Sequence, residues 1–182
     1  PIQRSIMNLD RETGISFMKI AEELDSGPVS NIYKINIDPN KNAEEISEKL
    51  SILAAEKILD NLDDILDDKA KFNEQDHSEA TYAKKIEKSE GKIYWNEGAL
   101  NIIGKINGLF PSPGAFFSFN GERYKILKAE IGNGIGKVGE VINNKLEIAC
   151  GNNQSIKILE IQRQGKKPQK IGEFMLGSQI KK

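Results

Sequence analysis

The spacing of hydrophobic residues changes character along the chain, and its first part indicates a helix and two strands. Pro1 suits the first position of a helix, because its missing N–H would be unpaired there in any case. Residues 15–20, Ile-Ser-Phe-Met-Lys-Ile, predict a largely buried strand. Residues 29–37 alternate apolar and polar side chains and predict a second strand.

A long amphipathic helix is predicted next. Between Ile46 and Ile65 the apolar residues recur at steps of three and four, as on one helix or on two helices broken near residues 52–54. Asn42 followed by Glu45 has the spacing of a capping box, which would begin the helix. The opposite face is acidic, and we expect its carboxylates to be solvated rather than to bind a metal.

The chain then becomes polar before a second helix. Residues 69–90 are of mixed charge and predict a linker between a domain at residues 1–68 and another at residues 91–182. Asn96 is placed to cap a helix over residues 97–108. The following Phe-Pro-Ser-Pro-Gly segment would end that helix.

Short strands separated by Gly and Asn turns fill the rest of the chain. Asn120-Gly121, a strong hairpin signal, lies between predicted strands at residues 115–119 and 122–131. Further strands are predicted at residues 138–142, 145–150 and 155–162. Several short strands in so few residues indicate a small barrel of the OB type. The fold class is therefore α/β followed by an all-β OB-like barrel.

Charge is distributed unevenly between the two halves. Residues 1–90 hold 20 acidic and 12 basic residues, a net charge of −8, whereas residues 91–182 hold 7 acidic and 14 basic residues, a net charge of +7. A basic half joined to an acidic half suggests that the basic half meets a polyanion such as nucleic acid. A merely solvated basic surface is the alternative.

The composition excludes several kinds of site. The chain has one cysteine, Cys150, so an internal disulfide is excluded and a reducing compartment is favoured. The one histidine, His77, lies in the polar linker, where we expect an exposed side chain. Without a His/Cys cluster a structural zinc site is excluded. No apolar run is long enough to span a membrane.

A glycine-rich segment at residues 132–139 invites comparison with a nucleotide-binding loop. Such a loop needs a strand before it and a helix after it, but strands follow here. Val138 also stands where a P-loop has Ser or Thr. We interpret the segment as a barrel loop whose backbone N–H groups could contact RNA phosphate.

The candidate site for chemistry is Leu24-Asp25-Ser26-Gly27. It places a carboxylate in a tight loop just after an apolar strand, and α/β proteins bind ligands outside the carboxyl ends of their strands. The same letters are also ordinary turn residues, so the local chemistry alone leaves both interpretations open.

Several short motifs lie along the chain in one order. They are Pro1-Ile2-Gln3-Arg4-Ser5-Ile6, Asp10-Arg11-Glu12-Thr13-Gly14, Leu24-Asp25-Ser26-Gly27, Thr81-Tyr82-Ala83-Lys84-Lys85-Ile86, Lys92-Ile93-Tyr94-Trp95, Phe110-Pro111-Ser112-Pro113-Gly114-Ala115 and Gly165-Lys166-Lys167-Pro168. Together they resemble the methionyl-tRNA formyltransferase family over essentially the whole chain.

The resemblance implies a partial Rossmann-like formyltransferase domain at residues 1–68 and an OB-like tRNA-binding domain at residues 91–182. It implies transfer of a formyl group from the co-substrate 10-formyltetrahydrofolate to the amino group of initiator methionyl-tRNA, without a metal. We expect a monomeric cytoplasmic enzyme of translation initiation.

The resemblance also assigns site residues. Asp25 matches the family's catalytic carboxylate, which orients a histidine and favours its charged form, and Leu24, Ser26 and Gly27 would contact substrate. The residues expected to contact tRNA, as a region, are Lys84, Lys85, Lys88, Lys92, Lys105, Arg123, Lys125 and Lys128. The family often has Arg where this chain has Asn107, so a charge near that helix end is missing.

The family's catalytic His, and the Asn that stabilises the oxyanion, occupy positions before Pro1. We therefore interpret the chain as the C-terminal part of a larger enzyme and predict that it is inactive alone. Two alternatives stay open: a folate-dependent formyltransferase or hydrolase acting on another substrate, and a non-catalytic RNA-binding barrel with an α/β remnant.

Overall fold

The structure, a computed structural model, describes residues 1–178 and residue 180 and has a mixed helix-and-sheet fold. In chain order the elements are α1 (Ile2–Met7), β1 (Glu12–Met18), β2 (Val29–Asn36), α2 (Ala43–Leu66), α3 (Ala99–Gly108), β3 (Ala115–Phe119), β4 (Glu122–Ile131), β5 (Val141–Asn143), β6 (Glu147–Cys150), β7 (Gln154–Arg163), β8 (Gln169–Lys170) and α4 (Ile171–Leu176). Two 3₁₀ turns, His77–Glu79 and Lys88–Gly91, lie between α2 and α3.

The first part of the chain is an antiparallel β1–β2 pair flanked by α1 and α2. Both strands are present, but the prediction that the first is largely buried is wrong. The residues of β1 alternate between exposed and half-buried, because only one face of the strand pair packs on the core. The strand ends at Met18 and leaves Ile20 almost fully exposed. Pro1 lies one position before α1, as its N-cap residue, rather than at the first helical position. The small core of this part joins α1, α2 and the inner face of the strand pair through Ile6, Ala43, Ile46 and Leu50, with Ile2, Ile15, Ile35 and Ile37 packed against them.

Helix α2 is continuous, so the alternative of two helices broken near residues 52–54 is wrong. Its capping box is confirmed: the Glu45 N–H donates to Asn42 Oδ1 and the Asn42 N–H donates to Glu45 Oε2, each at 3.0 Å. Only the first turns bury their apolar stripe among the described residues. Further along, Leu59 is 74% exposed and Leu66 is 72% exposed.

The second part is a six-stranded antiparallel sheet in the order β3-β4-β7-β6-β5, with β8 also paired to β7. The Asn120-Gly121 hairpin is confirmed, and both turn residues have positive φ (48° and 79°) as a type I′ turn requires. Strand β5 begins at Val141, three residues later than predicted. Helix α3 covers one face of the sheet, and its Ile102 and Ile106 are buried against the inward isoleucines of β4 and β7.

The predicted cap of α3 is wrong. The helix begins at Ala99 with Gly98 as its N-cap residue, and Asn96 lies in the preceding turn. The Ala99 N–H instead donates to Gln154 Oε1 at 2.9 Å, so a distant strand supplies the acceptor.

The two parts pack together where α1 crosses α3. A side chain at Gly104 would lie 2.7 Å from Leu9 Cδ2, and one at Gly108 would lie 2.6 Å from Met7 Cγ, so the glycines permit this approach. Between them, Asn107 is buried and donates through Nδ2 to the Pro39 carbonyl at 2.8 Å. Position 107 therefore joins the two parts instead of presenting a group to a ligand.

Candidate functional site

The Asp25 loop, residues 19–28, connects β1 to β2 and is closed by a hydrogen bond from the Lys19 N–H to the Pro28 carbonyl at 3.0 Å. Asp25 has a positive φ of 56°, a conformation that Asp tolerates better than most residues. A Cβ at Gly27 would lie 1.8 Å from the Lys19 oxygen, so the loop closes this tightly only with glycine there.

The Asp25 side chain is exposed, and its carboxylate has no hydrogen-bond or ion-pair partner among the described residues. Leu24 is 93% exposed beside it. Ser26 is half-buried, and its Oγ donates to the Glu23 carbonyl at 2.9 Å. Within the described part, the loop therefore presents an acidic and an apolar side chain outward, and the partners of both would have to come from elsewhere.

The segment after α2 returns to this loop, which the sequence did not indicate. Asn73 pairs with Val29, with both N–H···O distances at 2.8 Å. Gln75 Nε2 donates to the Asp25 carbonyl at 2.9 Å and to the Gly27 carbonyl at 2.7 Å. A single Gln in a polar stretch carries no pattern that predicts such contacts. His77, in the following turn, is exposed as expected.

Arg4 holds the backbone of the linker at Lys84 and Lys85. The Arg4 guanidinium donates from Nε to the Lys84 carbonyl and from Nη2 to the Lys85 carbonyl, both at 3.0 Å. It also forms a two-point ion pair with Glu90, at 2.5 and 3.0 Å. These hydrogen bonds lower the pKa of Glu90 to about 2. We call these contacts of Arg4 with Lys84, Lys85 and Glu90 the latch. The latch fixes the backbone here, while the side chains of Lys84, Lys85 and Lys88 are exposed and free to bind an anion.

Lys92 and Lys105 lie around one aromatic ring. Their Nζ atoms are 5.3 and 5.6 Å from the Tyr94 ring centroid, within cation–π range. Lys105 is also paired with Glu97, at 3.0 Å to both carboxylate oxygens, and donates to the Lys92 carbonyl. Lys105 is therefore held by neighbours, whereas Lys92 keeps a freer charge.

Arg123 and Lys125 share the outer face of β3–β4 with Phe116. The Arg123 guanidinium lies 3.6 Å from the Phe116 ring centroid, and Phe116 pairs in register with Lys125. Lys125 Nζ donates weakly to the Pro111 carbonyl at 3.4 Å. Lys128 lies beyond a strand irregularity and is exposed. The structure thus groups seven of the eight cations into three neighbourhoods, namely the latch, the Tyr94 ring and the Phe116 face, and leaves Lys128 apart.

The glycine-rich loop is anchored by carboxylates. The Gly134 N–H donates to buried Glu147 Oε1 at 2.7 Å, and the Lys137 N–H donates to Glu140 Oε2 at 2.7 Å. The prediction that these N–H groups could contact RNA phosphate is therefore wrong for Gly134 and Lys137. Burial raises the pKa of Glu147, but hydrogen bonds from Ser155, Gly134 and Asn143 outweigh it, so its pKa lies below the ordinary value.

Residues 1–178 and 180 offer neither a metal-binding cluster nor a membrane-spanning helix. These residues contain no group of three His, Cys, Asp or Glu side chains arranged to hold a metal ion. None of their helices combines the length and the apolar character that a membrane span requires.

The second half of the chain matches a known family. Residues 85–179 match the family described as formyl transferase, C-terminal domain. The chain is 69% identical over 180 residues to the methionyl-tRNA formyltransferase of Pelagibacter ubique, an alignment that covers 99% of this chain and 58% of that relative. The chain thus spans little more than half the length of that relative.

Solved structures share the fold at low sequence identity. HypX from Aquifex aeolicus, in complex with tetrahydrofolic acid, superposes with a TM-score of 0.74 at 18% identity, covering 97% of this chain and 32% of HypX. An N-formyltransferase from Helicobacter canadensis, in complex with folinic acid and dTDP-3-aminofucose, gives 0.71 at 18% identity, covering 89% of this chain and 60% of its own. At these identities the likeness concerns the fold alone.

Proposed function

The chain belongs to the formyl transferase family, and we propose that it is the C-terminal part of a methionyl-tRNA formyltransferase. The proposed reaction moves a formyl group from 10-formyltetrahydrofolate to the amino group of initiator methionyl-tRNA. The alignment over 99% of this chain carries the proposal, because it includes the Asp25 loop, the linker and the sheet. HypX and the Helicobacter canadensis N-formyltransferase share the fold of this chain, and a shared fold does not select the acceptor.

In the proposed reaction the neutral amine nitrogen attacks the formyl carbon. The tetrahedral intermediate then breaks its bond to the folate nitrogen, while the amine loses one proton and the folate nitrogen gains one. Asp25 would orient the family's histidine and stabilise its charged form, and the family's asparagine would hold the oxyanion. Both partners belong to family positions before Pro1. The outward-facing Asp25 carboxylate is compatible with partners that approach from outside residues 19–28.

The roles of the remaining parts are assigned from the organisation of the family. Residues 1–68 would complete a Rossmann-like catalytic domain, residues 69–90 would form the linker, and residues 91–182 would form an OB-like tRNA-binding domain. Leu24, Ser26 and Gly27 would shape the substrate side of the Asp25 loop. The latch lysines, the cations beside Tyr94 and Phe116, and Lys128 would contact phosphates of the tRNA. Such contacts set position rather than read sequence. We expect a cytoplasmic monomer that needs no metal.

The test uses a joined enzyme, made by fusing this chain to the part of the Pelagibacter ubique relative that it does not cover. Supplied with 10-formyltetrahydrofolate and methionyl-tRNA, the joined enzyme should formylate the tRNA, and the 182-residue chain alone should not. The complete relative is the positive control. A joined enzyme that is folded but formylates only a dTDP-linked amino sugar would contradict the acceptor, and full-rate formylation by this chain alone would contradict the division of the site.

A further inference from the structure

The Asp25 loop is held from outside by one side chain. Gln75 is half-buried and directs its amide nitrogen at the carbonyls of Asp25 (2.9 Å) and Gly27 (2.7 Å), with Met18 Sδ at 3.7 Å. An amide –NH₂ has two hydrogens, so it can serve both carbonyls at once. Among the described residues, Gln75 is the one residue outside the loop that hydrogen-bonds residues 20–27.

The segment that carries Gln75 is itself fixed against both ends of the loop. Asn73 exchanges two backbone hydrogen bonds with Val29, immediately after the loop. Lys19, at the start of the loop, places its Nζ 4.6 Å from the centroid of the Phe72 ring. Residues 72–75 therefore act as a short brace, and the position of Gln75 does not depend on the rest of the polar linker.

The loop needs such a brace because little else orders it. Its residues from 21 to 25 are exposed, and Asp25 holds a left-handed backbone conformation that costs conformational energy when unsupported. Releasing the two carbonyls to water would free the backbone that aims the Asp25 side chain. A displacement of about 1 Å is enough to lower a rate by about a hundredfold when a group must be aligned.

We propose that Gln75 is a positioning residue, whose amide bridges the carbonyls of Asp25 and Gly27 and so sets the direction of the Asp25 carboxylate. The effect on catalysis rests on the function proposed above, whereas the effect on loop order does not. Gln75 touches neither reacting atom, and it acts only through the loop backbone.

The first experiment measures loop order in the 182-residue chain by ¹⁵N relaxation. In the unsubstituted chain the amides of Asp25, Ser26 and Gly27 should show order parameters near 0.85, falling below about 0.6 in Gln75→Ala. The matched control is Glu74→Ala, because the neighbouring Glu74 side chain is exposed. Amides of β4 and β7 report whether the fold is intact. Unchanged order at residues 25–27 in a folded Gln75→Ala chain would overturn the proposal.

A second variant separates the bridge from simple packing. Gln75→Glu keeps the shape but cannot donate once its carboxyl is ionised. Its loop should be mobile at pH 7 and regain part of its order as the pH falls toward 4, because a protonated carboxyl has one O–H and can donate to one of the two carbonyls. The unsubstituted chain, measured over the same pH range, corrects for other titrations. Loop order in Gln75→Glu that is the same at both pH values, relative to that reference, would contradict the bridge.

The third experiment uses the joined enzyme. Gln75→Ala should lower kcat by about ten- to a hundredfold while leaving the KM for methionyl-tRNA within about twofold, since the tRNA contacts lie elsewhere. Full kcat in Gln75→Ala, with Asp25→Asn inactive, would overturn the positioning role and leave the proposed function standing. Full kcat in Asp25→Asn would instead overturn the assignment of Asp25, and the loop-order measurement would still decide the bridge.

Discussion

At the scale of single residues, the site depends on backbone geometry that side-chain chemistry alone does not reveal. The sequence singled out Asp25, but Gly27 and Gln75 determine the loop that carries it, one by leaving no atom in the way of Lys19 and the other by donating two hydrogen bonds. Turn residues can be read from a sequence because their conformations are local. A contact spanning 48 residues cannot, because nothing near Gln75 specifies its partner.

Gly27→Ala tests the tight closure of the loop. The added methyl group would lie 1.8 Å from a backbone oxygen, so the loop must move. We expect a loss of about 1–3 kcal/mol in the free energy of unfolding, as for overpacking elsewhere. Urea denaturation of the two chains measures it. Gly172→Ala is the control, since nothing lies within 4 Å of a Cβ there, and equal stability of Gly27→Ala and Gly172→Ala would contradict the geometry.

The Arg4–Glu90 ion pair predicts a pH dependence of stability. The pKa of the Glu90 carboxyl in the folded chain is about 2, below its ordinary value of 4.5. The ion pair therefore stabilises the fold above pH 4.5, and this contribution is lost as the pH falls toward 2. Thermal melting between pH 2 and pH 7 should show a drop in Tm over this window. In Glu90→Gln the drop should be smaller, with a lower Tm at pH 7. An unaltered profile in that variant would show that the pair contributes nothing to folding.

At the scale of elements, the strands and helices that depend on local pattern are those that the sequence predicted. The Asn120-Gly121 hairpin and the capping box of α2 both involve residues within a few positions of each other. The predicted start of α3 was wrong because the first N–H of the helix donates to Gln154, 55 residues away. Likewise, the apolar stripe of α2 predicted which face of the helix packs inward but not how far along the helix that face is buried. Burial depends on what packs against the helix.

Asn42→Ala tests how much the capping box contributes to α2. The substitution removes the acceptor for the Glu45 N–H at the helix start, so we expect a loss of about 1 kcal/mol in the free energy of unfolding. Asn144→Ala is the matched control, because Asn144 is exposed and its side chain makes no hydrogen bond with the described residues. Equal urea midpoints for the two variants would argue against the cap.

At the scale of the whole molecule, the acidic first half and the basic second half meet where α1 packs on α3 and where Asn107 bonds to the Pro39 carbonyl. The charge imbalance was visible in the sequence, but which cations are free was not. The structure occupies Lys105 with Glu97 and leaves Lys84 and Lys85 exposed on a fixed backbone. Pairing of this kind needs a fold, since Glu97 and Lys105 meet only once α3 and the turn before it are in place.

A salt titration of tRNA binding to the 182-residue chain tests the latch lysines. Each phosphate contact adds about 0.7–0.9 to the slope of log affinity against log salt concentration. Replacing Lys84 and Lys85 by Gln should therefore reduce that slope by about 1.4–1.8 and weaken binding at low salt. The control replaces Lys49 and Lys57 by Gln on acidic α2 and should leave the slope unchanged. Identical slopes for the two double variants would exclude the latch from the tRNA surface.

The most direct measurement is the rate of formylation by the joined enzyme with Asp25→Asn, compared with Glu23→Gln in the same loop. Asn keeps the shape of Asp25 but removes the charge that would support a protonated histidine, and such proton-transfer roles contribute about 10²–10⁴-fold. We predict a fall of that size in kcat for Asp25→Asn and full activity for Glu23→Gln. Equal activity in the two variants would contradict the assignment of the site to this loop.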